Sequence, residues 1–212
     1  MNVLVIGANG KIARHLVEEL KETDHHVTAL IRKEEQSEEL KSLGADETIV
    51  RDLEGDISDA FAGKDAAVFA AGSGGHTGPD KTTIIDLWGS RKSVEASKAH
   101  GVKRFIQVSS MNTDEPENGP EKMRHYFIAK RVADDYLEES GLDYTIVRPG
   151  MLTNDDPSGT VELKQKLNEK GEIPRADVAK VIAASLDTPG TIRKKFDLIS
   201  GDQEIVAALN EL

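Results

Sequence analysis

The sequence predicts an α/β fold, a doubly wound parallel sheet with helices on both faces, from three observations. Apolar runs of strand length alternate with helix-length segments along the chain, as successive βαβ units require. The first run, Val3 to Ile6, is apolar at every position, the pattern of a strand buried on both faces. That run ends in Gly7-Ala8-Asn9-Gly10, and Ile12, Leu16, Val17 and Leu20 then recur at helical spacing.

The remaining elements follow in order. Val27 to Ile31 reads as the second strand, and Glu34 to Leu43 as a helix that stops at Gly44. Glu47 to Val50 is a short third strand and Ala66 to Ala71 a fully apolar fourth. Lys81 to His100 is a long helix closed by Gly101, with Trp88 expected as a packing residue. Arg104 to Val108 is the fifth strand. Glu121 to Ser140 is a helix closed by Gly141. Tyr144 to Val147 is the sixth strand, ended by Arg148-Pro149-Gly150. Ala176 to Leu186 is helical, Phe196 to Ile199 a last strand, and Gln203 to Leu209 a terminal helix. The polar stretches Met111 to Pro120 and Thr153 to Ser158 are expected as loops beyond strand ends, where open α/β sheets bind ligands. No repeat or low-complexity linker divides the chain. Residues 1–212 are therefore expected to form one domain, with a small C-terminal lobe at about 151–175 covering a substrate.

Composition narrows the partners. The 212 residues carry a net charge of −11 and no long basic cluster, which disfavours nucleic acid and anionic membranes. No apolar run reaches the roughly 20 residues that span a bilayer, and no secretory signal is apparent. With no cysteine there is no disulfide, thiolate nucleophile or thiolate-held metal, which fits a reducing cytoplasm. The six histidines form no metal pattern: His25-His26 reads as a turn pair, and His76 and His125 stand alone. No metal is expected.

The turn after the first strand carries the clearest chemistry. It spells G-x-x-G-x-x-A: Gly7 permits the tight turn, Gly10 lets backbone approach a pyrophosphate, and small Ala13 lets helix pack on strand. The helix start then offers free N–H groups and a positive dipole end to that pyrophosphate. Lys11 adds positive charge there or is simply solvated. At the end of the second strand, where NAD enzymes keep an acid for the ribose 2′-hydroxyl, stands Arg32. A guanidinium grips a 2′-phosphate bidentately, so Arg32 argues for NADP. Asp52, at the third strand's end, accepts from an adenine amino group with Leu53 against the ring, or caps the turn toward Gly55. Small Ala71, Gly72 and Ser73, after the fourth strand, leave room for a ribose.

The whole chain resembles the atypical short-chain dehydrogenase/reductase family, the Rossmann-type NAD(P)-binding group with NmrA-like and biliverdin reductase B/flavin reductase branches. It is similar to small bacterial members labelled sugar epimerases or NAD-dependent epimerase/dehydratases. The matching segments include Gly7 to Ile12, Arg32 to Gln36, Ala70 to Gly75, Lys103 to Ser110, Ala129 to Leu137, Ser140 to Gly150 and Asp177 to Ala179. The resemblance implies cofactor contacts at Asn9, Ile12, Ser109, Lys130, Pro149, Gly150 and Met151. It also implies a Ser-Tyr-Lys set, matched in order by Ser110, Tyr126 and Lys130, with Ser109 a rival for the serine. Tyr126 and Lys130 share a helix face at i and i+4. The lysine ammonium is then expected to lower the phenol's pKa, so that Tyr126 moves a proton while hydride moves at the nicotinamide. These readings point to an NADP(H)-dependent oxidoreductase acting on a small carbonyl, alcohol or quinone/flavin-like substrate, as a monomer or homodimer. An epimerase/dehydratase and a non-enzymatic NADP(H)-sensing regulator are the alternatives.

Overall fold

Alternate residues of the first strand feed two separate cores. In the computed structural model, which describes residues 1–75, 77–167 and 169–212, strand β1 (Asn2–Ile6) sends Val3 and Val5 to one side of the sheet and Leu4 and Ile6 to the other. One core lies under α1 (Lys11–Lys21), α2 (Ser37–Leu43), α6 (Arg175–Asp187) and α7 (Ile205–Asn210). The other lies under α4 (Ser90–His100) and α5 (Arg124–Glu138).

The other strands are β2 (His26–Ile31), β3 (Glu47–Val50), β4 (Ala66–Phe69), β5 (Arg104–Val108), β6 (Asp143–Pro149), β7 (Met151–Thr153), β8 (Thr160–Lys164), β9 (Glu172–Pro174), β10 (Lys194–Ser200) and β11 (Gln203–Glu204). The main sheet runs β11-β8-β10-β6-β5-β4-β1-β2-β3, and β7 pairs with β9 in a small parallel ribbon. Every neighbour pair from β3 to β10 is parallel, while β8 is antiparallel to both β10 and β11. The chain winds outward from β1 to β3, then returns to place β4 on β1's other side. The crevice at that reversal is where open α/β sheets bind ligands. The fold is thus the Rossmann-like α/β architecture expected. Among the described residues no helix is long and apolar enough to cross a membrane.

Several boundaries differ from expectation. Strand β4 stops at Phe69, leaving Ala70 and Ala71 in the loop that carries Gly72 and Ser73. Strand β6 continues through Arg148 and Pro149, because β10 pairs alongside as far as Leu198 and Pro149 is the last strand residue, where no ladder N–H is needed. Residues Gln203 and Glu204 form β11 rather than helix, since β8 supplies a pairing edge. Thr153 ends β7 instead of opening a loop, and β8, within the stretch expected as a separate small lobe, joins the main sheet. The segment before Ser37 is a 3₁₀ turn, Glu34–Gln36. The long helix before Gly101 begins as α3 (Pro79–Lys81), passes through a π-helical stretch, Thr82–Gly89, and continues as α4. Such wide turns are frequent at functional sites. Trp88, on that stretch, is 49% exposed with the Arg91 guanidinium stacked over it, so it is not a core packing residue.

Candidate functional site

A cavity of about 360 Å³ opens at the carboxyl ends of β1 to β4, in the reversal crevice. Its floor is the turn after β1. Gly7 adopts φ +77°, and a Cβ there would stand 2.6 Å from the Cα of Ala71, so the turn and the β4 loop touch backbone to backbone. The Gly10 N–H donates to the Gly7 carbonyl at 2.8 Å, and Gly10 leads directly into α1. No side chain caps that helix, and its first-turn N–H groups are left for a ligand. This cradle fits a pyrophosphate.

The walls come from three more strand ends. Leu30, Ile31, Arg32 and Gln36 lie on the β2 side, Arg51 to Glu54 on the β3 side, and Ala70 to Ser73 on the β4 side, with Lys81 and Ile85 closing across the mouth. Three cations line this space. Arg51 pairs with Asp59, and Lys81 with Glu54. Arg32 is exposed and, among the described residues, has no carboxylate partner. Asp52 lines the cavity, and its side chain accepts the Glu54 N–H at 2.9 Å, the turn-capping arrangement. Leu53 is buried, its position held by Lys92, which donates to the Leu53 and Gly55 carbonyls at 2.6 and 2.5 Å.

Of the residues expected at a cofactor, the structure brings Gly7, Asn9, Gly10, Arg32, Asp52, Leu53, Ala71, Gly72 and Ser73 together in this one cavity. Lys11 and Ile12 stand in the first turn of α1, just past its lining, and Lys11 is exposed. Ser109, Ser110, Tyr126, Lys130, Pro149, Gly150 and Met151 lie outside it, on α5 and at the ends of β5 and β6. Gly150 has a packing reason of its own: a Cβ there would meet the Gly171 carbonyl oxygen at 2.3 Å. The Met151 side chain is largely exposed. His125 is exposed at the start of α5, and His76 lies outside the described residues.

The expected coupling of lysine to tyrosine is not what the structure contains. Lys130 is buried, donates to the Val108 carbonyl at 2.6 Å, and lies 5.9 Å above the Phe69 ring. Its charge acts on Asp134, one turn further along α5, and not on the phenol. Burial pushes the Tyr126 phenol above its ordinary pKa, and the negative charges of Asp86 and Asp134 push the same way. The neighbouring Ser110 hydroxyl opposes them by hydrogen bonding. Tyr126 and Ser110 are therefore neighbours, and the phenol is held protonated rather than readied as a base.

Two carboxylates differ from the sequence reading: Asp86 was not singled out, and Asp134, whose pairing with Asp135 reads as a solvated helix face, is buried. Asp86, buried on the π-helical stretch, accepts the Ser73 N–H at 3.0 Å and so ties the β4 loop to that helix. Asp134 accepts from Gln107 Nε2 and from Ser109 Oγ, both at 2.6 Å. That bond occupies the Ser109 hydroxyl and separates its role from that of Ser110. Burial pushes the Asp134 carboxyl up to about 6, while its donors and Lys130 pull it down. For Asp134 the spacing carried a partial signal, since Tyr126, Lys130 and Asp134 recur every four residues.

Residues 7–189 match the model of the NAD(P)H-binding family, and the chain belongs to it. It is 47% identical over 216 residues to YhfK of Bacillus subtilis, named an uncharacterized sugar epimerase, with all of both chains covered. A solved Bacillus halodurans structure, named a candidate NAD-dependent epimerase/dehydratase, is 52% identical over all of both chains, with a TM-score of 0.98. The Lactococcus lactis oxidoreductase YlbE is 28% identical, with a TM-score of 0.88 over 100% of this chain and 96% of that one.

Proposed function

We propose that this NAD(P)H-binding protein is an NADP(H)-dependent oxidoreductase acting on a small carbonyl, alcohol, quinone or flavin-like compound. The observation that carries the reading is Arg32, a cation without a carboxylate partner among the described residues, in the same cavity as the Gly7–Gly10 turn. The turn and the start of α1 take the pyrophosphate, Leu53 and Ile85 flank the adenine, and Arg32 grips the 2′-phosphate. When bound, the nicotinamide supplies hydride chemistry.

Tyr126 and Ser110 then hold the substrate oxygen. In the reducing direction Tyr126 Oη would give its proton to the substrate oxygen, and the phenolate left behind would take a proton back from water. The phenol is protonated in the resting site, the state from which such a donor starts. The names of two relatives favour a second reading, an epimerase or dehydratase in which the cofactor is oxidised and restored within one turnover. Incubation with NADPH and a panel of carbonyl, quinone and flavin acceptors tests the choice. Net NADPH oxidation is expected; product formed from a sugar substrate with no net redox change would move the assignment to the second reading.

A further inference from the structure

We infer that Gln36 is a second determinant of cofactor choice, bracing Arg32 with one end of its amide and donating to the 2′-phosphate with the other. The inference rests on the proposed preference for NADP(H). Gln36 Oε1 accepts the backbone N–H groups of Arg32 and Lys33, both at 3.1 Å. Two donors converging on one atom identify that end of the amide as the oxygen. The Gln36 N–H in turn donates to the Lys33 carbonyl at 3.1 Å, closing the loop after β2 on itself. Arg32 therefore leaves the strand from a fixed stem, which lowers the ordering cost of its grip on a ligand.

The other end of the amide carries two N–H donors. Among the described residues Nε2 has no hydrogen-bond partner, and Gln36 lines the cavity beside Arg32. Lys33, the other cation of this loop, is engaged by Glu35 at 3.3 Å. The donors left for a dianion at the end of β2 are thus the Arg32 guanidinium and the Gln36 amide. A glutamate at this position keeps both backbone bonds but replaces the two donors with negative charge, so Gln36→Glu separates the bracing role from the phosphate role.

The test is calorimetric titration of the full chain with NADPH and with NADH, for wild type, Gln36→Glu and Gln36→Ala, with circular dichroism as the check on folding. Gln36→Glu is expected to weaken NADPH by about tenfold or more while leaving NADH within about twofold. Gln36→Ala is expected to weaken NADPH by about threefold to tenfold. If Gln36→Glu keeps the wild-type ratio of the two affinities, or loses both cofactors equally, Gln36 has no such role. If wild type itself shows no preference for NADPH, the Arg32 reading fails and this one with it. A wild-type preference that survives in Gln36→Glu overturns the role of Gln36 alone.

Discussion

The ammonium of Lys130 is bound to the carbonyl of Val108 at 2.6 Å, at the last residue of β5. Tyr126, Lys130 and Asp134 share one face of α5, yet the buried cation takes a carbonyl and acts on a carboxylate instead of the phenol. A buried charge is costly unless so compensated. The consequence is a tyrosine whose phenol is held in its neutral form.

Tyr126→Phe is accordingly expected to lower turnover by roughly 100-fold or more, the usual worth of a positioned proton donor. NADPH affinity and folding stability should barely change, since the ring is kept. Lys130→Met should instead cost stability and leave the pH dependence of the tyrosine in place. Steady-state kinetics with any acceptor that oxidises NADPH, paired with urea unfolding, distinguish the two. A Tyr126→Phe enzyme as active as wild type would remove the phenol from the reaction.

Asp134 should leave a mark on stability against pH. Its carboxyl ionises near the ordinary 3.8 when unfolded and near 6 when folded, so the folded protein binds this proton more tightly. The stabilisation is fully present below about pH 4 and is lost as pH rises through about 6, on the order of 3 kcal/mol at about 1.4 kcal/mol per unit. Asparagine keeps one acceptor for Gln107 and can donate to Ser109. The stability of Asp134→Asn relative to wild type should therefore rise between pH 4 and pH 7. Urea melts across that range, showing parallel profiles for the two proteins, would refute the assignment.

Arg32→Ala should reduce NADPH affinity by about tenfold or more and NADH affinity little, because the charge-assisted pair exists only with the 2′-phosphate. Isothermal titration of both cofactors measures it. Equal losses for the two would place Arg32 against some other part of the cofactor.

Gly10→Val should abolish binding of both cofactors with the fold retained, because the added side chain stands where the pyrophosphate approaches. Gly7→Ala is expected to be the more destructive change. At φ +77° and 2.6 Å from the Ala71 backbone, its methyl group has no room, and a loss of about 1–3 kcal/mol is expected from strain alone. Thermal melts and cofactor titration together separate the two effects. A Gly10→Val protein that binds NADPH normally would show that the pyrophosphate lies elsewhere.

Much of this was legible in the chain because it is local. An apolar run, two glycines three apart and a helical stripe are neighbours in sequence, and they delivered β1 within a residue, the turn after it and the helix that follows. The half of the candidate site built on that turn followed with them, since Arg32, Asp52 and Gly72 stand at the ends of strands whose order the alternation implies. The short strands β7 and β9 had no period long enough to detect, although Val161 and Leu163 in β8 do alternate with polar neighbours.

What tertiary structure alone decided is partnership. Strand β8 forms only because β10 and β11 offer edges to it. Gly150 is required by Gly171, and Gln36 is turned by the amides of Arg32 and Lys33. Lys130 and Tyr126 stand one turn apart in sequence, and that spacing was enough to place them on one face of a helix. Which of them touches which was settled by burial: once α5 packs on the sheet, the charge of Lys130 must be met by the nearest carbonyl and carboxylate. Helical spacing fixes a direction, whereas a pKa depends on every charge and every lost water around the group, and those arrive from distant parts of the chain.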